Sequence, residues 1–243
     1  MISRPLRALA LLATLAVAAA CTSTPGASPS AAPASAAPSQ AASSPAAATS
    51  SAGASSAVDG PDLSECPASE PAALAAGETR DVTIATFAGD MVIRIEADIS
   101  PVAAGNFVAL AACGFYDGVV FHRVVPGFVI QGGDGQHGRD PGVDPGRVGT
   151  GGPGYTIGDE PVTATYGRGV VAMARSSQPN SVGSQFFIVL DDEARGSLED
   201  ANTYQIIGSV TSGMETADAI AELADAENPS EPVVMTEVTV ANP

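Results

Sequence analysis

Apolar and polar residues alternate twice where the patterned part of the chain begins. Val82 and Ile84 alternate with Thr83 and Ala85 within Asp81–Phe87, and Met91, Ile93 and Ile95 alternate with Val92, Arg94 and Glu96. Each run predicts a half-buried strand, and Gly89-Asp90 between them suits a two-residue hairpin turn. Ser100-Pro101 predicts a helix start, with serine as N-cap and proline at the first helical position. Val102, Phe107, Val108 and Leu110 supply that helix with an apolar face, and Gly114 stops it. The β-type runs Val119–Val125 and Phe128–Gln131 flank Pro126-Gly127, a tight turn. Gly169–Ala174, Gln185–Leu190 and Tyr204–Val210 read as further strands. A helical segment near Met214–Leu223, capped by Ser212, and a last strand, Val233–Val240, close the chain. Seven or eight strands and two helices allow a closed antiparallel barrel with a helix at each end, and the count alone does not separate it from a sandwich.

Composition sets the N-terminal part of the 243 residues apart. Met1–Ala20 carries Arg4 and Arg7 ahead of an apolar run, Ala8–Ala20, that ends in small residues. This is the layout of a secretory signal and is too short to span a membrane. Cys21 follows at once. The junction resembles a bacterial lipoprotein signal, in which the thiol is lipidated and becomes the new N-terminus, although Ala18 stands where leucine is more usual. Cleavage after Ala20 without lipid would instead leave a soluble secreted protein. Thr22–Val58 holds no charged residue and reads as a disordered tether. Its 37 residues span roughly 35 Å as a coil and at most about 110 Å when extended. The expected organisation is a signal peptide at 1–20, a lipidated N-terminus and Ala/Ser/Pro-rich linker at 21–77, and one folded domain at 78–243. Such a protein is exported and held by its lipid on the extracytoplasmic face of the cell membrane.

Loss of Arg4 and Arg7 with the signal takes the net charge from −17 to −19, and the chain contains no lysine. Phosphate backbones need clustered cations, so no nucleic-acid partner is expected. Anionic headgroups repel such a domain, which leaves the lipid as its membrane contact, and the acidity suits solubility. If Cys21 is lipidated, Cys66 and Cys113 remain in an oxidising compartment. They either form a disulfide, the preferred reading, or stay free, with Cys113 as a buried apolar residue. Asp134, Asp140 and Asp144 lack the spacing of a calcium loop, and no metal is expected.

The candidate chemistry centres on Arg123, a permanently charged donor fork inside an apolar strand. Alone it could equally be a snorkelling strand arginine. The surrounding Phe121–Asp134, FHRVVPGFVIQGGD, resembles the signature of the cyclophilin family of peptidyl-prolyl cis-trans isomerases. Gly149-Thr150-Gly151-Gly152 resembles that family's glycine loop, Val170–Arg175 is similar to the strand lining its substrate groove, and Gly183–Ile188 resembles its second signature. The resemblance runs from about Thr79 to Val240.

It implies a mainly β fold, a closed eight-stranded antiparallel barrel capped by two α-helices, acting as a monomer without a cofactor. It also implies an enzyme that isomerises X-Pro bonds in proline-containing unfolded or exported polypeptides and assists their folding. By resemblance Arg123 faces the prolyl nitrogen, while Gln131 and Gln185 orient Arg123 and the substrate carbonyl. Phe128, Val129, Phe187 and Leu198 line the proline pocket. Gly149, Ala174, Arg175 and Ser176 border the groove, the Arg175 backbone pairing with the substrate chain. Tyr204 stands at a groove edge often held by histidine, and the absent tryptophan bears on cyclosporin grip more than on catalysis. Gly135–Val148 is longer than the matching loop of the family's short members. With His122 and His137 as its only histidines, a Ser-His-Asp hydrolase would need His122, which reads as a structural hydrogen-bonder. The remaining alternative is a non-catalytic chaperone or adaptor that binds proline segments. Binding alone would not require an arginine at the twisting nitrogen.

Overall fold

The computed structural model describes residues 61–241. The signal peptide, Cys21 and most of the expected linker lie outside them. Within the described residues, Pro61–Gly77 belongs to the folded domain rather than to a linker. Leu63, Cys66 and Leu74 pack against the core. Cys66 is disulfide-bonded to Cys113 with a Cα–Cα distance of 5.2 Å. The lead-in also crosses α1 (Pro101–Ala112) at close range, where a Cβ on Gly105 would lie 2.4 Å from Ala72 O. Only glycine allows that helix and that segment to touch.

Ser100 is the N-cap of α1, but its side chain makes no capping bond and, among the described residues, its buried Oγ has no partner. The first-turn donors are met from a distant loop: Val102 N and Ala103 N donate to the two carboxylate oxygens of Glu160, both at 2.9 Å. A carboxylate at a helix N-terminus also opposes the helix dipole favourably.

β1 (Thr79–Thr86) and β2 (Gly89–Glu96) pair with Thr86 opposite Gly89, so the hairpin turn is Phe87-Ala88 and not Gly89-Asp90. Thr86 sets it: Oγ1 donates to Gly89 O at 2.8 Å and accepts from Ala88 N at 3.1 Å. The glycine at position 89 answers a packing demand, since a Cβ there would lie 2.6 Å from Thr216 Oγ1 on α3 (Met214–Leu223).

The other strands are β3 (Phe121–Val125), β4 (Val129–Gly132), β5 (Val170–Met173), β6 (Phe186–Val189), β7 (Ile206–Ser212) and β8 (Glu237–Val240). Ser212 therefore ends β7, and the N-cap of α3 is Gly213 in the left-handed region, at φ 86°. The eight strands form one antiparallel sheet in the order β3-β4-β6-β5-β7-β2-β1-β8. The sheet curls without closing. Among the described residues no ladder joins its two ends: β8 pairs with β1, and the residues before β8 meet β3 and its N-terminal flank only through the isolated bridge Val120–Val234 and single backbone hydrogen bonds such as Phe121 N to Val233 O. The expected closed barrel is thus an open, curled half-barrel. A third helix that the pattern did not reveal, α2 (Arg195–Ala201), follows a 3-10 turn at Asp192–Ala194. Its sequence, RGSLEDA, buries a single side chain, Leu198, too few for a helical period to show.

Inside the curl, Phe107 of α1 packs edge-on to Phe186 at 5.2 Å between ring centroids, and Tyr116 lies edge-on to the same ring at 5.6 Å. The buried Tyr116 hydroxyl donates to Ser184 O at 2.9 Å, so no polar atom is stranded there.

Candidate active site

Alternate strand residues face opposite sides of a sheet, and the register decides which of them meet. Val124, Ile130, Ile188 and Val171 pair in succession and point into the core. The row beside them, Arg123, Gln131, Phe187, Ala172 and Ile206, crosses the same sheet on its other face. Phe187, Ala172 and Ile206 join Val129, Tyr166 and Leu198 in a second apolar cluster, against which Phe128, Ala174 and Tyr204 pack. One row thus leads from a cation on the edge strand, through an amide, to an apolar floor.

That floor is fixed by packing. Phe187 meets Tyr204 edge-on, with centroids 5.3 Å apart and planes at 88°. The Tyr166 hydroxyl donates to Tyr204 O at 2.7 Å, and burial pushes its pKa up to about 12, so it stays a donor through the neutral range. Leu198 comes from α2, which places it over Phe187 without help from the sheet.

The polar side is a fixed network. Gln131 Nε2 donates to Gln185 Oε1 at 3.0 Å, and Gln185 Nε2 donates to Gly149 O at 2.9 Å and Gly151 O at 2.8 Å. The glycine loop is also held from beneath by Asp134, which is fully buried. One of its oxygens accepts from Gly149 N and Gly151 N, the other from Gln136 N and His137 N, at 2.8 to 3.1 Å. Burial alone would raise this carboxyl, but the four backbone donors outweigh it and hold the pKa below the usual range. His122 does not hydrogen-bond as the sequence suggested. Among the described residues both ring nitrogens are buried without a partner, and burial lowers its pKa. A neutral imidazole with no hydrogen-bonded serine or carboxylate cannot serve as a triad base.

Arg123 Nε donates to Glu227 Oε1 at 2.7 Å. Gln131, its ladder partner, spends its amide on Gln185 instead. The Arg175 side chain turns away from the sheet, pairing with Asp159 at 3.1 Å and donating to Gln178 O at 2.7 Å, and so braces the Ser176–Ser181 loop. A groove of about 780 Å³ opens beside the apolar floor, with Gln131, Gly149, Ala174, Arg175, Ser176 and Gln185 in its wall. Its lining also includes Thr150 and Ser184, which lie within the motifs, and Tyr155 and Ser181, which lie outside them, but not Arg123, Phe128, Phe187, Leu198 or Tyr204. The site residues thus fall into two adjoining regions that meet at Gln131. Glu227 and Glu160 carried no sequence signal at all, since each meets its partner across more than 50 residues.

A curled antiparallel sheet thus carries an arginine and an aromatic floor on one register row, and a groove walled by glutamines and a glycine loop adjoins that row at Gln131. The family described as Cyclophilin type peptidyl-prolyl cis-trans isomerase/CLD matches residues 81–240. The chain belongs to that family. It is 43% identical over 142 residues to a probable peptidyl-prolyl cis-trans isomerase of Brucella abortus, covering 58% of this chain and 70% of that one. To peptidyl-prolyl cis-trans isomerase A of Dickeya dadantii it is 35% identical over 173 residues, covering 67% and 85%. A crystal structure of a Cryptosporidium parvum cyclophilin type peptidyl-prolyl cis-trans isomerase, in the presence of dipeptide ala-pro, superposes with a TM-score of 0.55 at 30% identity, covering 67% of this chain and 99% of that one.

Proposed function

We propose that the chain accelerates cis-trans isomerisation of X-Pro bonds in exported polypeptides and assists their folding as a monomer, tethered through a lipid on Cys21 to the extracytoplasmic face of the membrane. The observation that carries the catalytic part is the register row, which sets Arg123 one strand from Gln131 and two strands from Phe187.

An X-Pro bond twists over a barrier of about 20 kcal/mol because amide resonance is lost, and unaided exchange takes ~10 to 100 s. In the twisted state the prolyl nitrogen is pyramidal and regains a lone pair. A donor aimed at it binds the transition state better than either planar isomer. Arg123 is that donor, and no nucleophile or proton transfer is required. The floor of Phe128, Val129, Phe187 and Leu198 strips water from the proline ring, which removes solvent that favours the charge-separated planar amide. The solved relative obtained with ala-pro supports proline-containing peptide as the ligand class.

The test is NMR exchange on an Ala-Pro tetrapeptide with the full chain, which reads turnover and affinity separately. Arg123→Ala should slow exchange by roughly 30- to 1000-fold, with affinity changing far less. Arg123→Lys should recover little, since a point charge does not reproduce the fork. Full-rate exchange by a folded Arg123→Ala protein would remove Arg123 as the donor, and binding of the tetrapeptide by the wild-type protein without faster exchange would leave a binding module in place of an enzyme. For the tether, Cys21→Ser should move the protein from the membrane to the soluble fraction. A wild-type protein already soluble and unlipidated would remove that part of the reading.

A further inference from the structure

β3 is an end strand of the sheet, and its outward edge is met by the connection between α3 and β8. Val124 N donates to Glu227 O at 2.7 Å, so Glu227 is fixed by its main chain beside Arg123. The connection is tied on both sides of that contact. Asp225 accepts from Ser230 N at 3.0 Å and from Ser230 Oγ at 2.6 Å, and Phe121 N donates to Val233 O at 2.9 Å. From this anchored position the Glu227 carboxylate accepts the Arg123 Nε hydrogen at 2.7 Å. Among the described residues, Nη1 and Nη2 of Arg123 have no hydrogen-bond partner.

We propose that Glu227 is the positioning residue for Arg123, holding the guanidinium by Nε and leaving its two terminal nitrogens to meet the substrate. The inference rests on Arg123 being the transition-state donor. A free arginine samples many rotamers, and a donor fork helps only when its plane is aimed before the amide twists. The carboxylate also cancels part of the positive charge, which works the other way. That opposing effect is the weaker one here, because the Glu227 side chain is 60% exposed and water screens its charge, whereas orientation is not screened. The acceptor role needs an oxygen at this place and not a charge. Glutamine should therefore serve nearly as well.

The experiment reads exchange rate and affinity by NMR on an Ala-Pro tetrapeptide with the full chain. Glu227→Ala should slow exchange about 3- to 30-fold with affinity within about twofold, and Glu227→Gln should recover most of the rate. In an Arg123→Ala background, Glu227→Ala should have no further effect. The Arg123 Nε–H signal should exchange with water faster in Glu227→Ala than in wild type or Glu227→Gln, which reports the contact whether or not melting changes. Wild-type rate in Glu227→Ala, or an undiminished loss when Arg123 is already absent, overturns the proposal. The donor reading fails separately, if Arg123→Ala alone keeps its rate.

Discussion

The amides of Gln131 and Gln185 are joined at 3.0 Å, and this one bond couples the strand that faces Arg123 to the glycine loop. Gln185 has no spare donor: both hydrogens of Nε2 go to loop carbonyls, at Gly149 and Gly151. Its orientation is thereby settled, oxygen toward Gln131 and nitrogen toward the loop.

A carboxylate at position 185 would set oxygen against two carbonyl oxygens. Gln185→Glu should therefore cost more than Gln185→Ala, on the order of 2 to 3 kcal/mol against about 1 kcal/mol, because it leaves repelling acceptors rather than a gap. Urea denaturation measures both. Hydrogen exchange at Gly149 and Gly151 should rise in each variant. Equal stability of the two would show that the loop is held elsewhere.

Asp134 offers the obvious other holder, and its effect depends on pH with a definite sign. Its folded pKa lies below the ordinary value, so its contribution is complete above the unfolded value of ~3.9 and is lost as the pH falls through the lower, folded value. Asp134→Asn should cost roughly 2 to 4 kcal/mol at neutral pH, since its amide hydrogens would face backbone donors. It should also flatten the fall in stability below pH ~3.9. His122, lowered chiefly by burial, adds a window of the same sign below about 6.5, where the unfolded ring gains a proton first. Thermal melting from pH 3 to 8 follows both.

Much of this site was legible because its parts are consecutive in sequence. The run Phe121–Asp134 carries Arg123, Phe128, Val129 and Gln131 on one hairpin, and alternation places Arg123, Val129 and Gln131 on a common face with Phe128 at the turn beside them. What escaped depends on side chains that meet across the fold. Glu160 replaces Ser100 as the cap of α1, and Glu227 replaces Gln131 as the hydrogen-bond partner of Arg123, and an isolated glutamate in a polar loop gives no sign of either. The turn falls at Phe87-Ala88 and not on the glycine, because Gly89, though it has the positive φ of 129° expected there, opens β2 and leaves room for Thr216, 127 positions further on. The open seam between β3 and β8 is likewise invisible in strand counts, which report how many strands there are but not whether the last reaches the first.

The Cys66–Cys113 disulfide closes a loop with a sequence separation of 47 and pins the lead-in to the end of α1. Cys66→Ser or Cys113→Ser should lower stability by up to ~4 kcal/mol on the chain-entropy account. Because the lead-in crosses α1 at Gly105, protection from exchange should fall first in Pro101–Ala112. Unchanged melting on reduction would mean that the apolar contacts of Leu63 and Leu74 alone hold the segment.

The floor and the arginine should separate kinetically. Phe187 is 4% exposed and packs on Tyr204, so Phe187→Ala removes a buried aromatic and opens a void, at a cost of about 3 to 5 kcal/mol where the site does not collapse. Part of that is stability and part is the surface that the proline ring would cover. Ground-state affinity for an Ala-Pro tetrapeptide should therefore fall together with the rate. On the proposed mechanism Arg123→Ala removes a contact made at the twisted nitrogen and should reduce the rate with little loss of affinity. Phe187→Leu distinguishes pocket from scaffold, since it keeps most of the buried volume and should restore melting while leaving affinity reduced. If Phe187→Ala stays folded with wild-type affinity, the proline ring does not sit on this floor. The adjoining groove lined by Gln131, Ala174 and Gln185 would then be the place to look for it.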